Sequence, residues 1–94
     1  MINKLIEELQ ELIENNTLEQ REILVIEECS ELTKAICKRR RGKVSVDFDI
    51  LDECADVIVV VTALILKLDV KLDDILTIAL YKVERAKSRK DGYE

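Results

Sequence analysis

Histidine is absent from the 94 residues of this chain, and that one absence removes several kinds of chemistry. Serine and cysteine nucleophiles that depend on an imidazole base cannot be built. Most zinc sites lose their usual nitrogen ligand, and the Glu-x-x-His di-iron bundle, which carboxylate-rich helices otherwise resemble, is excluded. Proline is also missing and only two glycines occur, Gly42 and Gly92, so almost nothing interrupts a helix. The three cysteines, Cys29, Cys37 and Cys54, cannot all pair within one chain and form neither a CxxC nor a CxxH spacing, so they read as reduced, small core residues. A basic excess is lacking too. The formal charge of −5 disfavours attachment to nucleic acid or to an anionic membrane through a broad basic surface. The longest apolar stretch, Cys54 to Leu66, contains Asp56 and Thr62 and falls short of the roughly eighteen apolar residues that a membrane span requires. No apolar signal core follows Met1-Ile2-Asn3-Lys4, and a cytoplasmic location is the expectation.

What the chain does have is a hydrophobic fraction of 48% in a single small domain. A chain this short buries a limited share of its surface unless it associates with copies of itself, and the Cys54–Leu66 stretch is apolar around more of its circumference than one neighbouring helix can cover. The expected fold is all-α, a four-helix chain forming a helical bundle whose core is completed by dimerisation or by assembly into a tetramer. The helices are expected at about 3–14, 18–41, 48–68 and 72–89. Leu5, Ile6, Leu9, Leu12 and Ile13 form the inner face of the first. Thr17 and Gln20 have the spacing of a reciprocal cap for the second, and Gly42 ends it. Asp47 or Asp49 caps the third, and Asp69 to Lys71 separates it from the fourth, whose first turn carries Asp73 and Asp74 and whose end carries Lys87, Arg89 and Lys90, as the helix dipole prefers.

Two acidic pairs stand apart from the rest. Glu28 with Glu31, and Glu53 with Asp56, lie at i,i+3 spacing, but so do Glu8/Glu11, Glu11/Glu14 and Glu19/Glu22, which sit among polar neighbours and read as solvated faces. The difference is register. Leu24, Glu28, Glu31 and Ala35 follow one stripe of a helix, and Glu53, Asp56, Val60 and Ala63 follow another, both flanked by apolar positions. A carboxylate withdrawn from water needs a partner or loses its charge. Four acids facing one interior therefore suggest a cation, and magnesium carrying phosphates is the first candidate, because it takes hard oxygen ligands and completes its shell with water and substrate oxygens. An acidic groove without chemistry has the same sequence signature.

The order Glu27-Glu28-x-x-Glu31, a spacer of twenty-one residues, then Glu53-x-x-Asp56 on two successive helices resembles the MazG-like members of the all-α nucleoside triphosphate pyrophosphatase superfamily, over roughly residues 18–89. The resemblance implies that Glu28, Glu31, Glu53 and Asp56 bind the metal, magnesium with manganese as a substitute, and that Glu27 is the extra acid of the first motif. It implies hydrolysis of a nucleoside triphosphate between the α and β phosphates, and Glu27 or Glu28 is the expected base for the attacking water. Lys82 and Arg85 share a stripe with Ile78 and Arg89. By themselves they read as border residues whose stems cover apolar surface, whereas the resemblance implies contacts with substrate phosphates. Tyr81, before Lys82, stands where relatives often carry Asn.

Two features stay open. The run Lys38-Arg39-Arg40-Arg41-Gly42-Lys43 suits a helix C-terminus and could also attract polyphosphate. Phe48 is either a stacking partner for a nucleobase or a core plug. Two rivals accompany the leading function: phosphoribosyl-ATP pyrophosphatase, ranked lower because Val57-Ile58 stands where that enzyme typically has Tyr-His after the second acidic motif, and a noncatalytic helical interaction or oligomerisation module.

Overall fold

A computed structural model of the protein describes residues 1–42 and 46–89, the side chains of 46–48 excepted. Four helices follow one another, α1 (Ile2–Ile13), α2 (Leu18–Arg40), α3 (Val46–Lys67) and α4 (Leu72–Ser88), and no strand occurs among the described residues. The all-α reading holds. Each boundary has a local cause. The Gln20 amide donates to Thr17 Oγ1 at 3.1 Å and the Thr17 amide donates to Gln20 Oε1 at 2.8 Å, closing the reciprocal cap that satisfies otherwise unpaired donors at the start of α2. At the other end Gly42 has φ +78° and its amide donates to the Arg39 carbonyl at 2.9 Å, a left-handed stop that glycine adopts without strain.

The end of α3 uses the same device with a less obvious residue. Asp69 has φ +61°, its amide donates to Leu66 at 3.0 Å, and the Val70 amide donates to Ile65 at 3.3 Å, the paired bonds of a Schellman turn. Aspartate tolerates this conformation better than most residues. The start of α3 departs from expectation. The helix begins at Val46, so Asp47 and Asp49 fall in its first turn rather than at the cap.

Among the described residues the main packing is α2 against α3, with α1 laid on α3 and α4 touching α3. Leu9, Ile13 and Ala63 form the buried cluster, with Leu5, Val59 and Leu66 against it. Leu5, Leu9 and Ile13 stand four residues apart, which puts them on one face of α1. Leu12, expected on the same face, is instead 58% exposed, since it is turned about 100° around the helix from its neighbour Ile13, off the line of Leu5, Leu9 and Ile13. Ala63 is fully buried because its lack of bulk lets α1 approach α3. Cys29 and Cys37 are exposed and Cys54 half-buried, all three as free thiols. The first two are therefore not core residues of the single chain, contrary to the reading from sequence. Lys67 Nζ donates to the Ile13 carbonyl at 3.1 Å, satisfying an open acceptor at the end of α1.

Leu9 is 4% exposed in the cluster that joins α1 to α3. Truncation to Ala is expected to cost about 2–5 kcal/mol, the range for a large-to-small change in a buried site, read from the urea midpoint at unchanged m-value.

Candidate metal centre

The acids on α2 and α3 meet because both stripes run into the seam between these helices. Ala35 at one end of the α2 stripe and Val60 and Ala63 at the end of the α3 stripe are buried, which turns the intervening carboxylates toward the seam. Glu28, Glu53 and Asp56 each offer one carboxylate oxygen, and the three oxygens lie within 4.8 Å of one another. Glu53 Oε2 is buried without a hydrogen-bond partner. On α2 the hydroxyls of Ser30 and Thr33 are spent within the helix, Ser30 Oγ donating to the Ile26 carbonyl at 2.8 Å and Thr33 Oγ1 to the Cys29 carbonyl at 2.9 Å.

Glu28 and Glu53 both hold their protons above the usual carboxylate range. The chief cause for each is loss of solvent, followed by the charge of Asp56, with further repulsion of both by Glu31 and Asp52, and of Glu53 by Glu28. Glu27 adds to the effect on Glu28. Among the described residues, every charge acting on these two groups is negative.

Three of the four expected metal acids thus converge. Glu31 stands outside the trio. Its Oε1 is 3.8 Å from Lys34 Nζ, with about half of the side chain exposed, yet its charge is felt by both Glu28 and Glu53. Glu27 is exposed one residue before Glu28. Lys82 and Arg85 are exposed on α4, whose packing among the described residues is against α3, so the described part of a single chain does not set them beside the trio. Arg85 lies 5.8 Å from the Tyr81 ring centre, within cation–π range. The Phe48 side chain and Lys43 fall outside what the structure describes. Sequence reasoning missed Asp52, one more negative charge on the cluster, and Arg21, a buried cation one heptad before Glu28. Extending the Leu24–Glu28 stripe backwards by one turn would have found Arg21.

The donor set suits a hard divalent cation. Three carboxylates from two helices, two of them depleted of solvent and one oxygen left unpaired, are oxygen ligands of the kind that magnesium or manganese binds. No helix among the described residues is long and apolar enough to cross a membrane.

Comparison with known proteins agrees with the chemistry and revises the ranking of families. No curated protein and no solved structure matches the chain. The model of one family, described as phosphoribosyl-ATP pyrophosphohydrolase, matches residues 1–82. That match supports the superfamily expected from the acid spacing but selects the family that Val57-Ile58 had seemed to count against, rather than the MazG-like one. Residues after an acidic motif are thus a weaker guide than the whole helical pattern, and the chain belongs to the phosphoribosyl-ATP pyrophosphohydrolase family, pyrophosphohydrolases of the MazG-like all-α superfamily.

Proposed function

We propose that the protein is a magnesium-dependent nucleotide pyrophosphohydrolase that cleaves a nucleoside triphosphate between its α and β phosphates, releasing a monophosphate and pyrophosphate. The observation that carries this reading is the convergence of Glu28, Glu53 and Asp56 around an unpaired, buried oxygen of Glu53. These three would hold the cation, with Glu31 at the margin. When bound, the cation supplies charge neutralisation at the phosphates and a water of lowered pKa.

The chain's own residues do the rest. Glu28 or the neighbouring Glu27 takes a proton from the attacking water at a carboxylate oxygen, and the anhydride oxygen leaves with the pyrophosphate. Lys82 and Arg85 meet the phosphates from α4 in this reading, a role that rests on the resemblance rather than on proximity within one chain. The working form is a homo-oligomer.

A second reading has its own support. The family match favours phosphoribosyl-ATP as the substrate, and the bond broken would be the same. One panel separates the readings: ordinary ribo- and deoxyribonucleoside triphosphates and phosphoribosyl-ATP, each with and without magnesium, assayed for pyrophosphate and for the matching monophosphate. Pyrophosphate release that requires magnesium is expected. Release of orthophosphate, or turnover indifferent to chelation, overturns the proposal.

The noncatalytic alternative is tested by the same cation. A ligand that binds only the folded state at a hundred times its dissociation constant adds about 2.7 kcal/mol, so magnesium is expected to raise the melting temperature. An unchanged melting curve across millimolar magnesium would favour the interaction module.

A further inference from the structure

We infer that Arg21 forms a second anion site, at the start of α2, which takes a phosphate monoester of the substrate remote from its triphosphate. The inference rests on the second of the two pyrophosphohydrolase readings above, with phosphoribosyl-ATP as substrate, and adds to it a group that the metal centre does not contact.

Arg21 is 8% exposed, and its Nε is buried without a hydrogen-bond partner. No ion pair reaches its guanidinium among the described residues. Arginine keeps its charge at any accessible pH, so burial without an anion is costly in a way that protonation cannot relieve. The side chain lines an open cleft of about 280 Å³ together with Asn16, Gln20, Ile23 and Leu24. Gln20 Oε1 is already engaged with the Thr17 amide. The planar fork of Arg21 is suited to two oxygens of a phosphate or carboxylate, and the positive end of the α2 dipole acts in the same direction.

Position narrows the ligand. Arg21 precedes Glu28 by seven residues, which is almost two full turns, so both lie on the same stripe with Leu24 between them, about 10.5 Å apart along the axis. A ligand held by the acids through its triphosphate would meet Arg21 only with a different part. An ordinary nucleoside triphosphate carries its anionic groups at one end. Phosphoribosyl-ATP carries a further phosphate on its second ribose, well separated from the triphosphate, and has the charge distribution that two anion sites on one stripe require.

Two measurements on the full chain test the assignment. The first is calorimetric titration with inorganic phosphate in the absence of divalent metal, so that the acidic trio takes no part. One site is expected, lost in Arg21→Gln and weakened in Arg21→Lys, which keeps the charge but not the fork. The second is the ratio of kcat/KM for phosphoribosyl-ATP to that for ATP. A hydrogen bond to a charged group is worth about 1.5–3 kcal/mol, so Arg21→Gln is expected to lower the ratio by about 10–100-fold. An equal loss on both substrates would place Arg21 at the triphosphate and overturn the inference.

A dimer that dissociates in Arg21→Gln while phosphate titration of the wild type shows no site would assign the guanidinium to a carboxylate of a second copy, and would also overturn it. If the wild type hydrolyses neither substrate, the functional reading fails while the phosphate titration still decides the anion site. Should Arg21→Gln not fold, Arg21→Lys and the wild-type titration decide the matter.

Discussion

Glu53→Gln is expected to lower magnesium-dependent turnover by on the order of a hundredfold or more, and at the same time to raise the melting temperature of the metal-free protein. Both effects come from one oxygen. Glu53 Oε2 is buried and unpaired, and the carboxylate is repelled by Asp56, Glu28, Glu31 and Asp52 after the larger penalty of lost solvent. Glutamine keeps the shape and removes the charge, so the fold is relieved of a group it holds at a cost. The site loses a ligand by the same change. Outer-shell partners of a metal ligand already cost 10–100-fold when removed, and a direct ligand is expected to cost at least that. Calorimetry with and without magnesium reads the two signs together. A lower melting temperature for metal-free Glu53→Gln would mean that the carboxylate has a structural partner, and the metal centre would lose its support.

The same residues set a pH dependence whose direction follows from their titration. For Glu28 and Glu53 the folded-state pKa lies above the unfolded one. The protonated form is therefore favoured by folding, and this contribution is fully present below the ordinary carboxylate pKa and lost as pH rises through the raised value. Metal-free protein is expected to gain stability from these two groups as pH falls from neutral through that window. Magnesium binding has the opposite requirement, because its ligands must be ionised, so the magnesium-induced rise in melting temperature is expected to fade over the same descent. In Glu53→Gln the metal-free slope should flatten.

Much of the fold was legible because the residues that end helices are unambiguous here. Thr17 with Gln20, Gly42 and the Asp69–Lys71 break each act through local hydrogen bonds or a left-handed backbone, and local effects can be read from local sequence. The acidic trio was legible for a different reason. Its members interrupt apolar stripes, and a carboxylate at a core register has no packing explanation. Glu31 shares that register yet reaches Lys34 instead, since a long side chain at the rim can turn to an exposed cation one turn away. Arg21 was overlooked because a cation on a polar stretch of α2 reads as solvated until its burial is seen. The family itself was the least legible part, because the acid spacing is shared across the superfamily and the residues that divide its branches are few.

Replacing Ile58 by Asp is expected to convert an oligomer into a monomer of lower stability, read by light scattering coupled to size exclusion and by thermal unfolding. The single chain leaves too much apolar surface in water to be the working form we propose. Its accessible surface of 7484 Å² is about a third more than a compact monomer of this mass presents, and its radius of gyration of 15.7 Å exceeds the roughly 12 Å of a compact domain of this length. No residue of α4 is buried. Between α1, α3 and α4 lies an open apolar cleft of about 350 Å³, lined in part by Leu5, Val57, Ile58, Ile75 and Leu76, and Ile58 is 57% exposed at its edge. A second copy has the complementary apolar face by construction, as a self-complementary two-fold interface requires. An aspartate at position 58 would place an unpaired charge in that contact, and breaking a buried interface in this way costs about 3–5 kcal/mol, more than a hundredfold in the dissociation constant. Ile58→Val, which keeps the surface apolar, should leave assembly intact. A wild-type protein that is monomeric at tens of micromolar would refute the oligomer outright, whereas an Ile58→Asp variant that remains assembled would move the interface to the uncovered side of α4, where Leu80 and Val83 are also exposed.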